Sequence, residues 1–92
     1  MKKDYLSHSQ TYHKMEIIVL GTGCTKCKNL FLAVEKVIAE TGINATLKKE
    51  EDIMNIMAYG IMTTPAIVVD GVVKINGYVP SEAVIKKALG LS

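Results

Sequence analysis

The only two cysteines of this 92-residue chain stand two residues apart, in Cys24-Thr25-Lys26-Cys27. Thiols at that spacing can close a disulfide and reopen it, or grip a soft metal ion between them. Attack on a disulfide requires a thiolate. An ordinary cysteine titrates near ~8.5, and helix N-termini and nearby cations bring that to roughly 3.5–7.5. The apolar run over residues 16–20 reads as a buried strand, Gly21-Thr22-Gly23 as a turn, and the residues after it repeat at helical spacing. That places Cys24 at or beside a helix N-cap, where unpaired N–H groups and the helix dipole favour negative sulfur. Cys27, one turn on, belongs to the apolar face. Cys24 is therefore expected to be the exposed nucleophile and Cys27 the resolving thiol. Thr25 and Lys26 are candidates for tuning the thiolate, whereas Lys28 reads as solvated helix surface. The hydroxyls of Thr22 and Thr25 can bond sulfur or shape the turn.

A second group of candidate residues lies at Thr63-Thr64-Pro65, just before the apolar run 66–69. A proline there suits the first residue of a strand. A cis Thr64–Pro65 bond would instead present the Thr64 backbone beside Cys24 for pairing with an incoming peptide. Thr64 and Pro65 are accordingly the candidate substrate-positioning residues. The groove is expected from residues 21–24, 62–65 and Gly77. Met62 would border it. Met54 and Met57 read as core or helix-face residues, and Tyr59 and Tyr78 as packing residues.

The elements that must hold these residues follow from periodicity and turn chemistry. Strand one spans 16–20. Helix one spans 24–41, with Cys27, Leu30, Phe31, Val34 and Ile38 along one face and Gly42 as its stop. Strand two covers 44–49, with Ile43, Ala45 and Leu47 alternating against polar neighbours. Glu50-Glu51-Asp52 combines N-cap chemistry with acidic residues suited to the positive end of a helix over 53–59. Strands three and four, 66–69 and 72–75, flank Asp70-Gly71, a two-residue hairpin signal. Pro80-Ser81 opens a last helix to about residue 89, with Val84, Ile85, Ala88 and Leu89 inward and Lys86 and Lys87 outward. The order βαβαββα, with a right-handed first crossover, gives an α/β fold: a four-stranded mixed sheet flanked by three helices.

Composition narrows the function classes. A net charge of +2, no Trp, one Phe and four scattered Tyr supply neither a basic footprint nor a stacking platform for nucleic acid. No apolar run is long enough to cross a bilayer. Residues 1–14 are polar and aperiodic, with two lysines but no apolar segment behind them, and read as a flexible extension to a domain over 15–92. His8 and His13 in that extension lack the further ligands a metal site needs. Two cysteines at this spacing fit a reducing compartment better than a disulfide scaffold, so a cytoplasmic location is expected.

The strand–CxxC–helix opening, the Thr-Pro before strand three, the Asp-Gly hairpin and the closing helix together resemble the thioredoxin superfold, in the minimal layout of the glutaredoxins. YGIMTTPAIVVDGVV with the following GYVPSE is similar to the small redox-active disulfide proteins, a compact thioredoxin-like family. The resemblance runs over residues 15–91. It implies a cis Pro65, a reversible Cys24–Cys27 disulfide and thiol–disulfide exchange without a bound cofactor or metal. The implied partners are a disulfide-containing protein substrate and a reductase, and a monomer is expected. The departures are specific. Gly23 stands where thioredoxins proper carry Trp, Thr25-Lys26 replaces Gly-Pro, and Ile18 occupies the place of their buried Asp. Proton transfer at Cys27 then falls to water, Lys26 or substrate. Of the glutathione-binding Gly-Gly and Asp of glutaredoxins only Gly77 is kept, with Pro80 near the place of the Asp. The alternative is a dithiol carrier of Cu or Zn, or a redox-responsive binding module. Ferredoxin-like metal chaperones run βαββαβ with Met two residues before the first Cys; here that residue is Thr22 and the chain closes on a helix.

Overall fold

The computed structural model describes residues 14–23 and 25–91. The expected extension, with His8 and His13, therefore lies outside the described residues except for Lys14. Four strands, β1 (Met15–Leu20), β2 (Ala45–Glu50), β3 (Ala66–Val69) and β4 (Val72–Asn76), alternate with three helices, α1 (Thr25–Thr41), α2 (Ile53–Ala58) and α3 (Glu82–Ala88). The sheet order is β2-β1-β3-β4. β1 runs parallel to β2 with Val19 opposite Lys49 and Leu20 opposite Glu50. It runs antiparallel to β3, and β3 to β4. This is the βαβαββα order and mixed sheet expected from the sequence.

Alternation along β1 divides the core in two. Ile17 and Val19 face one side, packing with Leu30, Val34 and Val37 of α1, Ile85 of α3 and Leu89 just beyond it. Ile18 and Leu20 face the other side, with Ile56 of α2, Ile61, Ala66 and Val68. All four residues of β3 are buried, as a strand covered on both faces must be. Helix α1 buries Cys27, Leu30, Val34 and Val37. Phe31 and Ile38, expected on its inner face, flank that stripe half-buried.

Local chemistry closes each element. The hairpin places Asp70 at φ 49° and Gly71 at φ 84°, the paired positive angles of a type I′ turn that Asp-Gly favours. Asp70 also ties the hairpin to β1: its Oδ1 accepts from Glu16 N at 2.9 Å and its N–H donates to Glu16 O at 2.8 Å. Asp52 caps α2, its Oδ1 accepting from Met54 N at 2.9 Å, and Ser81 caps α3 through Val84 N. One inward assignment needs correction, and one open reading is decided. Val84 is 39% exposed, because the seven-residue α3 turns Ile85 and Leu89 into the core and leaves Val84 on its flank. Of the two readings of Met54 and Met57, core or helix face, the second holds: they are 71% and 60% exposed on α2, and Ile56 alone of that helix is buried.

Candidate functional site

β1 ends at Leu20, and Gly21 continues its line by donating to Glu50 O at 3.0 Å. This bond pins the start of the thiol loop to the end of β2. Gly21 is buried, and a methyl group on it would clash with Cys27 Sγ and lie 2.7 Å from Cys27 Cβ. Only glycine lets the chain pass that close to the sulfur. Gly23, at φ 89°, then turns the backbone into α1.

Cys24 lies outside the described residues, so its expected exposure and helix-capping position are not described. Cys27 is on the first turn of α1, 6% exposed, facing the sheet. Thr25 and Lys26 open the helix on its exposed side. A small cavity reaches Cys27, lined by Val19, Gly21, Gly23, Lys28, Lys49 and Glu51. Lys28, read from the sequence as plain surface, thus borders the thiol. Lys49 and Glu51 have no place at the thiol site in the sequence, where Glu51 reads as part of the acidic start of the second helix. Their signal was the parallel pairing itself, which sets the C-terminal end of β2 beside the turn that follows β1. The Lys49 ammonium lies 5.1 Å from the centroid of the Phe31 ring, a cation–π contact that anchors this side chain against α1. Glu51 Oε2 is 3.5 Å from where a Gly23 Cβ would stand, so a carboxylate borders the thiol loop. Ile18, at the place of the buried acid of thioredoxins proper, packs on the α2 side of the sheet with Leu20. Among the described residues no charged or polar side chain is buried.

The second candidate segment crosses the end of β3. The Thr64–Pro65 peptide is cis; Pro65 is fully buried and Thr64 half-buried. Pro65 O accepts from Gly77 N at 2.8 Å, and Thr63 Oγ1 donates to Asn76 Oδ1 at 2.9 Å, so β4 holds this segment from behind. In front lies an open groove of ≈ 260 Å³ lined by Thr22, Ile53, Ile56, Met57, Ile61, Met62 and Thr64. Met62 is 98% exposed and Ile53 52%. The expected groove members Thr22, Met62 and Thr64 are thus brought together. To them α2 adds an apolar wall that sequence reasoning had divided between core and helix surface.

No helix among the described residues is long and apolar enough to cross a membrane.

Comparison with known proteins agrees with this geometry. The family model of the thioredoxin domain matches residues 15–90. Thioredoxin of Methanothermobacter thermautotrophicus is 37% identical over 75 residues, covering 82% of this chain and 97% of that protein. Thioredoxin of Methanocaldococcus jannaschii is 37% identical over 73 residues, covering 79% and 84%. With the sheet order, the CxxC spacing and a match along nearly the whole described chain, this chain belongs to the thioredoxin-domain family.

Proposed function

We propose that the protein is a thiol–disulfide oxidoreductase in which Cys24 is the nucleophile and Cys27 the resolving thiol. The observation that carries the reading is the buried sulfur of Cys27 on the first turn of α1, beside a glycine of the β1–α1 turn that admits nothing larger. A thiol so placed is shielded from bulk solvent and from bulky disulfides, and suits attack within the protein on a neighbouring sulfur. In the reductive direction the Cys24 thiolate attacks a substrate disulfide and expels one thiol. Cys27 then attacks Cys24 of the mixed disulfide, expels the second, and leaves a Cys24–Cys27 disulfide for a reductase to reopen.

Thr64 and Pro65 form the substrate-positioning edge of the groove in this reading. The exposed Ile53, Met57 and Met62 favour an extended polypeptide with apolar residues next to its cystine, because apolar contact there removes water from both partners. Met, with its adaptable thioether, suits a groove that serves several sequences. Thr25 and Lys26 tune the Cys24 thiolate from the exposed side of the helix. The working site is the reducing cytoplasm, and the working unit a monomer with no bound cofactor.

Insulin reduction by the dithiol form tests the reading. Cys24→Ser is expected to abolish turnover, and Cys27→Ser to stall as a covalent mixed disulfide detectable by mass spectrometry. Unchanged turnover in Cys24→Ser overturns the nucleophile assignment. Tight stoichiometric Cu(I) binding by a protein with no exchange activity would favour the dithiol carrier instead.

A further inference from the structure

Resolution of the mixed disulfide requires Cys27, a buried thiol, to lose its proton, and the described residues offer it no buried acid or base. They offer a passage. The cavity beside Cys27 has a volume of ≈ 10 Å³, about what one water molecule needs. Its charged borders are Lys28 from α1, Lys49 from β2 and Glu51 from the β2–α2 connection; β1 contributes only Val19, and the turn after it Gly21 and Gly23. Glu51 is the one group among them that accepts a proton in its charged form. Its Oε2 stands 3.5 Å from the Cβ position of Gly23, on the loop joining β1 to the thiol helix. The neighbouring carboxylate, Glu50, is turned away, accepting from Asp52 N at 3.2 Å and facing Asn55 and Tyr59 of the α2 segment.

We infer that Glu51 is the proton acceptor for Cys27, working across this cavity from the end of β2 in place of a buried acid on β1. The inference rests on the exchange reading above. In the resolving step the Cys27 S–H proton passes to the Glu51 carboxylate. The electron pair left on sulfur forms the Cys24–Cys27 bond. The bond between Cys24 and the substrate sulfur breaks with its pair going to the substrate, whose thiolate takes a proton back from the Glu51 carboxylic acid. The dithiol is oxidised by two electrons and the substrate disulfide reduced by two, with no further reactant. Lys49, held over Phe31, keeps a cation at the same cavity for the transient Cys27 thiolate.

A two-phase reaction with 5,5′-dithiobis(2-nitrobenzoate) isolates the step. Stopped-flow release of the first nitrothiobenzoate reports attack on the reagent, and release of the second reports resolution by Cys27. Glu51→Gln keeps the size and removes the charge of an exposed side chain. At pH 7 it is expected to slow the second phase about 10-fold, a modest share of the ~10²–10⁴-fold general-base range because the carboxylate is solvent-exposed. The deficit should close at high pH, where hydroxide takes the proton. Simple Coulombic repulsion predicts the opposite sign, since removing an anion beside a thiol favours its thiolate and speeds resolution. A second phase equal to or faster than native in Glu51→Gln overturns the assignment while leaving the exchange reading intact. Absence of any second phase in the native protein removes the exchange reading and this inference with it.

Discussion

Gly21→Ala drives a methyl group into steric overlap with Cys27 Sγ and 2.7 Å from Cys27 Cβ. The backbone of Gly21 cannot retreat freely, because it is buried and its N–H is bonded to Glu50 O at 3.0 Å. On the other side, Cys27 is backed by a helix whose next inward residue, Leu30, is fully buried. Rotating the Cys27 side chain relieves the sulfur contact alone, and helices restrict the available rotamers. The Cβ contact remains and demands a backbone shift. Overpacking of a full core costs ~1–3 kcal/mol, and with both contacts present we place Gly21→Ala at about 2–3 kcal/mol on that scale. Each kcal/mol lowers Tm by roughly 4–8 °C in a domain of this size. The assay is urea and thermal unfolding of the reduced protein, in the native and Cys27→Ala backgrounds. Cys27→Ala removes Sγ but keeps Cβ, so the penalty of Gly21→Ala should fall to about half there, a coupling that a double-mutant cycle reads directly. A penalty below about 0.5 kcal/mol, the ordinary scatter of neutral substitutions, would refute the reasoning. So would the same penalty in both backgrounds, since the sulfur would then not be the obstacle.

Three further outcomes follow from the geometry. Gly77→Ala carries a side chain at φ 90° and brings its Cβ 2.8 Å from Thr63 Oγ1. It should cost about 2–3 kcal/mol, from left-handed backbone strain and a lost hydroxyl bond, with the hydroxyl part absent in a Thr63→Ala background by urea unfolding. Asp52→Ala removes the N-cap of α2 and should cost ~1 kcal/mol by the same measurement. It should also weaken insulin reduction more than reaction with a small aromatic disulfide, because α2 lines the groove and not the sulfur. Met57→Ala with Met62→Ala, both exposed, should leave stability within about 0.5 kcal/mol while raising KM for a protein disulfide several-fold; an unchanged KM would remove the groove from substrate binding.

Most of the fold was legible in the chain because local rules and long-range packing agree. Asp70-Gly71 demands the two positive φ angles of the hairpin, Asp52 and Ser81 cap where capping chemistry stands, and β3 reads as apolar on both faces and is buried on both. The short helices were less legible. α2 is apolar at Ile53, Met54, Ile56 and Met57, nearly all round, and six residues carry too little periodicity to say which face is inside. Packing chose Ile56 and left Met54 and Met57 outside, Met57 as part of the wall of the groove.

The thiol pair, its spacing and its place at a strand-to-helix turn belong to the linear chain, because a CxxC and a Gly-Thr-Gly turn are local objects. So does the Thr-Pro segment before β3. The surroundings of Cys27 do not. Lys49 and Glu51 lie over twenty residues beyond it and reach its cavity because β2 pairs parallel with β1 in a register that sets Lys49 opposite Val19. Gly21 likewise reads as one flexible residue of a turn until α1 brings a sulfur to where its side chain would be. Periodicity tells which side of an element is apolar; strand register and helix placement decide which distant charge meets a buried thiol.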